Sequence, residues 1–152
     1  MPKVLVIYHS QEYGNTEEVA KLVAQGLQKA GSLDVEMVNI NVERAYDTEK
    51  LLIYDGVAIG SPDYGSTVAG TIKQLFDDLF VLGRQGKPVP KTPCVTFMTH
   101  GGGGKGAASL QGMAERRGFK VLAPVFTCEG APDRGCPEAV ELGELLGKAV
   151  LG

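Results

Sequence analysis

A change of hydrophobic period recurs along this chain, and it limits the possible folds more than any other feature. Short, nearly continuous apolar runs alternate with longer segments in which apolar residues return every three or four positions. The first run is KVLVIY, residues 3–8. It is rich in β-branched residues and lacks polar alternation, which predicts a strand covered on both faces and therefore flanked by helices. From Asn15 or Thr16 the period becomes helical, through Val19, Ala20, Leu22, Val23, Gly26, Leu27 and Ala30, with Gly31 as the stop. DVEMVNI, residues 34–40, predicts a second strand, alternating through Val35, Met37 and either Val38 or Ile40.

The pattern then repeats. TEKLLIYDG predicts a short helix ending at the Asp55-Gly56 turn, and VAIGSP a third buried strand that stops at Pro62. Residues 66–83 predict a helix with Val68, Ile72, Leu75, Phe76, Leu79 and Phe80 on one core-facing stripe and Gly83 closing it. RQGKPVPKTP is a connector too short to separate domains, and CVTFMT is a fourth strand running into HGGGGKG. A helix is expected over residues 107–117, a last strand in KVLAPVFTCEG, and a closing helix over residues 137–151 with Pro near its start. Five strand–helix alternations imply right-handed crossovers and a mainly parallel sheet with helices on both faces. Beyond the glycine tetrad there is no repeat or low-complexity segment.

At 152 residues the chain fits one domain spanning 1–152. A net charge of −3 with 22% charged residues argues against nucleic acid or an anionic membrane as partner. No apolar run reaches the roughly 20 residues that span a bilayer. Met1-Pro2-Lys3 leads into the first strand without a signal-peptide core, so a cytoplasmic location is expected. Cys94, Cys128 and Cys136 lack metal-ligand spacing and are expected as thiols. The alternative is a small disulfide loop within CEGAPDRGC.

In parallel sheets of this kind, ligands bind outside the carboxyl ends of the strands. Three unusual loops fall there: HSQEYGNT, SPDYGST and THGGGG. The first precedes a helix N-terminus, whose free N–H groups and dipole attract an anion without a cationic side chain. Ser10, Asn15 and Thr16 offer side-chain donors, Gln11 an amide, and Gly14 close backbone approach. The purely structural alternative is a helix cap at Asn15 or Thr16 with Gly14 as a turn residue. Neither a Gly-Lys-Ser/Thr ending nor a G-x-G-x-x-G fingerprint is present, which excludes the usual triphosphate and dinucleotide loops. Glu12, Glu17 and Glu18 around the loop suit a single phosphate better than a highly charged ligand.

Tyr64, among Pro62, Asp63 and Gly65, can stack on a planar ring or simply cover the sheet edge. His100, Gly101, Gly102, Gly103 and Gly104 offer backbone N–H groups unobstructed by side chains, suited to a heterocycle's polar edge. His100 itself reads as a packed loop residue, because nothing in the sequence orients it for proton transfer.

At these three loops the sequence resembles the flavodoxin family over essentially its whole length. The carrying motifs are SQEYGNT, which is S/T-x-x-G-N-T with one extra residue, and YDGVAIGSP followed by SPDYG. The resemblance implies a three-layer, doubly wound α/β fold with a five-stranded parallel sheet in the order 2-1-3-4-5. It also implies non-covalent FMN. The phosphate is expected at Ser10, Gln11, Gly14, Asn15 and Thr16, with Tyr13 in the same cofactor-binding loop. The isoalloxazine is expected between Pro62, Asp63, Tyr64 and Gly65 on one side and His100 through Gly104 on the other. No side chain is then needed as a catalytic acid or base, and no metal is implied.

Two redox functions follow from the resemblance. One is an electron carrier serving redox partner proteins. The other is an FMN-dependent NAD(P)H:quinone oxidoreductase or flavin reductase acting on small acceptors such as quinones. Dedicated carriers are more acidic than −3 and often sandwich the ring between two aromatics, whereas HGGGG is similar to the tryptophan-repressor-binding-protein type of quinone reductase. That type carries extra segments and forms tetramers, so a homo-oligomer is a further expectation. The carrier is favoured, since the chain is compact and shows no Arg cluster for a dinucleotide; Arg116 and Arg117 read as solvated. A response-regulator-like module would need an acidic cluster where His9 and Ser10 stand, and a scaffold with empty loops would not bind FMN.

Overall fold

Alternate residues of the central strands face opposite layers, and this places the core on both sides of one sheet. The computed structural model of the chain describes every residue except Glu12. Its strands are β1 (Lys3–Tyr8), β2 (Asp34–Asn39), β3 (Gly56–Pro62), β4 (Pro93–His100), β5 (Lys120–Val121) and β6 (Phe126–Glu129). Its helices are α1 (Asn15–Ala30), α2 (Gly70–Arg84), α3 (Ala107–Arg116) and α4 (Pro137–Leu151), with a 3₁₀ helix at Thr48–Ile53. All strand pairings among these elements are parallel and the order is β2-β1-β3-β4-β5, as the resemblance implies.

Val4, Val6 and Tyr8 of β1 join Ala58, Val95 and Phe97 beneath α1 and α4. Leu5 and Ile7 join Val57, Ile59, Cys94 and Met98 beneath α2, α3 and the 3₁₀ helix. The first layer is unusually close. A Cβ on Gly26 would stand 1.9 Å from the Val140 carbonyl oxygen, and one on Gly143 would stand 2.0 Å from that of Val23. Glycine at both positions lets α1 and α4 pack backbone to backbone.

Three sequence expectations are refined. The last strand is two short ones, both paired to β4: Cys94 opposes Val121 whereas Phe97 opposes Phe126, so two residues are looped out between them. Pro124 lies in that gap and has no N–H to donate to the ladder. Helix α2 begins at Gly70, not at residue 66, because Gly65 and Ser66 take positive φ angles of 62° and 66° in a turn closed by a Tyr64–Thr67 bridge. Val68 is therefore core but not helical. The core stripe of α2 ends at Leu79; Phe80 is 41% exposed and carries the Arg117 guanidinium 4.9 Å from its ring centre. That contact gives Arg117 an aromatic partner, where the sequence predicted a solvated residue.

Candidate functional site

Because all strands are parallel, the loops after β1, β3, β4 and β6 emerge at one sheet edge. A cavity of about 350 Å³ lies there, lined by Gln11, Tyr13, Asn15, Thr16, Pro62, Asp63, Tyr64, Thr99, His100, Gly101 and Gly130. The structure thus gathers most of the residues singled out from the three loops. Ser10, Gly14, Gly65, Gly102, Gly103 and Gly104 stand outside its wall.

The first loop is held from below. The Ser10 N–H donates to Asn39 Oδ1 at 3.1 Å, while Asn39 Nδ2 and Asn41 Nδ2 donate to the Ser10 carbonyl at 3.1 and 3.2 Å. Ser10 Oγ accepts from the Glu17 N–H at 3.2 Å, which ties the loop to the first turn of α1 and leaves the Ser10 O–H to donate. Neither Asn15 nor Thr16 is the cap. That position belongs to Gly14, at φ 71° and ψ 15°, and it supplies no side-chain hydrogen bond. The remaining first-turn amides of α1 are left for the loop, in the setting that binds anions at helix N-termini. Thr16 is buried, with its hydroxyl 2.8 Å from that of Thr99, which joins this loop to the end of β4. Tyr8 donates to Glu17 at 2.8 Å; burial and then this carboxylate raise the phenol well above its ordinary pKa. Glu12, one of three carboxylates the sequence places around the loop, lies outside the described residues.

At the other end of the cavity the second loop is tied to β4 by the Asp63 N–H, which donates to the Thr99 carbonyl at 2.8 Å. Tyr64 is 41% exposed and Tyr13 is 86% exposed, leaving two aromatic surfaces at the mouth. In the third loop the His100 ring packs against Gly104, where a Cβ would stand 3.0 Å from His100 Cδ2. This agrees with a packed residue. Gly106, outside the tetrad, approaches Asp63 as closely: a Cβ there would stand 2.9 Å from Asp63 Oδ1. Asp63 Oδ1 and His100 Nδ1 are buried without a hydrogen-bond partner among the described residues. The His100 carbonyl accepts from the Gly130 N–H at 2.8 Å, which brings the segment after β6 to the rim.

Sequence reasoning missed Thr99, Gly130 and His9. Thr99 and Gly130 were available from topology, since both end strands that must open at this edge. His9 had no such signal. It is 4% exposed, and its role depends on contacts with residues 2 and 62 positions away. Cys94, Cys128 and Cys136 are free thiols, and burial raises Cys94 and Cys128 above their ordinary pKa.

Comparison with known proteins agrees with this geometry. The flavodoxin family model matches residues 6–143. A flavodoxin of Aquifex aeolicus is 35% identical over 126 residues, covering 80% of this chain and 65% of that protein, so the chain spans less than two thirds of that relative's length. An NAD(P)H dehydrogenase (quinone) of Chromohalobacter salexigens is 25% identical over 173 residues, covering 100% of this chain and 82% of that protein. Among solved structures, a flavodoxin from the domain Archaea superposes with a TM-score of 0.81 at 18% identity, covering 99% of both chains; this shows the shared fold.

Proposed function

Since the chain belongs to the flavodoxin family, whose members bind FMN, we propose that it is an FMN-binding electron-transfer protein built as one domain. The observation that carries this reading is the meeting, in one cavity, of a cation-free helix N-terminus at Asn15 and Thr16 with the aromatic loop at Tyr64. The residues fit the group. Backbone amides of α1, Asn15 and Gln11 suit one phosphate, while Pro62, Tyr64 and Gly101 suit a flat heterocycle; the unpaired Asp63 Oδ1 and His100 Nδ1 lie at that same end.

When bound, the flavin supplies one- and two-electron chemistry. The chain's own part is positioning and field. Thr16 and Thr99 fix the first loop to the sheet, Tyr64 would offer a ring face, and the Asp63 carboxylate in the cavity wall would disfavour negative charge on a bound heterocycle. The partners are redox proteins, and the setting is the cytoplasm; among the described residues no helix is long and apolar enough to cross a membrane.

A second reading, an NAD(P)H:quinone oxidoreductase, is supported by the Chromohalobacter relative and by a third loop with glycine where carriers often have an aromatic. It takes quinones as small acceptors and brings homo-oligomerisation with it. Adding FMN to the apoprotein should quench flavin fluorescence with a one-to-one end point; a signal unchanged at micromolar protein would overturn the cofactor reading. Steady NAD(P)H consumption with a quinone by the holoprotein alone would select the reductase over the carrier.

A further inference from the structure

One buried imidazole joins the first and second loops of this site from outside the ligand cavity. His9 follows β1, and its N–H donates to the Gly60 carbonyl at 3.1 Å, which fixes it between β1 and β3. Its Nδ1 lies 2.6 Å from Thr71 Oγ1 in the first turn of α2, and its Nε2 lies 3.2 Å from Gln11 Oε1 in the first loop. The ring also meets Tyr64 edge to face, at 5.9 Å and 81°. The amide oxygen of Gln11 only accepts, so in the neutral ring Nε2 carries the proton and Nδ1 accepts from the Thr71 hydroxyl. This tautomer follows from the amide's orientation. Gln11 and Tyr64 line the proposed flavin cavity, whereas His9 lines a neighbouring one of about 380 Å³ with Arg44, Tyr46, Thr71 and Asp78.

We infer that His9 is the positioning residue of this site, a neutral imidazole that holds Tyr64 at the ring end and Gln11 at the phosphate end in one fixed relation. The inference rests on the flavin reading of the cavity. Each loop is tied to the end of β4 at Thr99, and the His9 ring adds a second shared partner, nearer their tips at Gln11 and Tyr64. Protonation is the natural perturbation. A second N–H at Nδ1 cannot accept from Thr71, so that hydroxyl must turn round, while the bond to Gln11 remains. The ionisable groups sharing the His9 cavity are Arg44 and Tyr46 from the segment after β2 and Asp78 from α2. Burial lowers the His9 pKa and Arg44 acts in the same direction, against the bond to Gln11. The ring is therefore neutral near pH 7.

NMR of the isotope-labelled apoprotein tests the coupling without FMN. Between pH 7.5 and 4.5 the Tyr64 ring and Gln11 side-chain amide signals should shift with the His9 ring, at one midpoint below the ordinary histidine value. His9→Gln should abolish that common step. At fixed pH 7.5, FMN titration should show the Kd of His9→Ala raised about tenfold, for two lost hydrogen bonds. His9→Gln, whose amide can still reach one partner, should recover most of the loss. Tyr64 and Gln11 signals that ignore both the titration and His9→Ala would overturn the inference, as would His9→Ala binding FMN within twofold of the parent. If His9→Ala does not fold, Thr71→Val removes the Nδ1 partner alone and should shift the Tyr64 ring signals. Failure of the parent protein to bind FMN would remove the flavin reading, and the Tyr64 and Gln11 signals would still decide the positioning role.

Discussion

Replacing Gly14 with alanine isolates one physical requirement of the phosphate loop. Gly14 takes φ 71° and ψ 15° immediately before α1, and a Cβ there has nothing within 4 Å. Steric crowding therefore contributes nothing, and the whole effect comes from holding an L-residue in the left-handed region. That costs about 1–2 kcal/mol, offset by about 0.4–1 kcal/mol because alanine also restricts the unfolded chain. The net loss should be about 1 kcal/mol, or about 2–4 °C in Tm for a chain of this size. The same strain pulls Gly14 out of its angle in the apoprotein and misaligns the α1 amides, so the FMN Kd should rise about fivefold. Gly14→Asn is the control, because asparagine enters the left-handed region at small cost. Urea unfolding of the three apoproteins, followed by FMN titration, makes the comparison. An alanine variant as stable as the parent would refute the argument, and so would an asparagine variant no better than the alanine one, since glycine would then serve another purpose.

Gly143→Ala tests the α1–α4 contact: a Cβ 2.0 Å from the Val23 carbonyl oxygen forces backbone apart, and urea unfolding should show a loss of at least about 1–3 kcal/mol. Thr96→Val should act the other way. Its hydroxyl is buried without a partner among the described residues, so the near-isosteric apolar side chain should raise the urea midpoint by about 1 kcal/mol of stability. Tyr46 is held protonated to about 12, by burial first and then by Glu36, Asp47 and Glu43. The unfolded chain releases this proton near 10, so folding stability should fall as pH rises between those values, and Tyr46→Phe should flatten that limb of the stability–pH curve. Thr16→Val breaks the link to Thr99 and should weaken FMN binding about threefold to tenfold in a fluorescence titration.

The fold was legible because its signal is local. KVLVIY, VAIGSP and CVTFMT read as buried strands from their own letters, and β1, β3 and β4 match them to within a residue or two. The errors came where neighbouring structure overrides local pattern. Phe80 extends the α2 stripe on paper, yet it is 41% exposed and Arg117 covers its ring. Residues 66–69 carry helical spacing, yet the turn at Gly65 and Ser66 delays the helix. Ser10 has a second task that its own letters do not show, since its hydroxyl oxygen accepts from the Glu17 N–H.

By itself, the sequence determined the layered parallel architecture, the sheet edge at which the three unusual loops meet, and the absence of Lys and Arg from the first of them. Hydrophobic period and loop chemistry are properties of consecutive residues, so they survive without coordinates. Tertiary structure alone decided which glycines are spacers between packed helices, which hydroxyl accepts from the first turn of α1, and that His9 joins Gln11, Thr71 and Tyr64. Those relations exist only between segments that the sheet brings together, and no spacing along the chain encodes them.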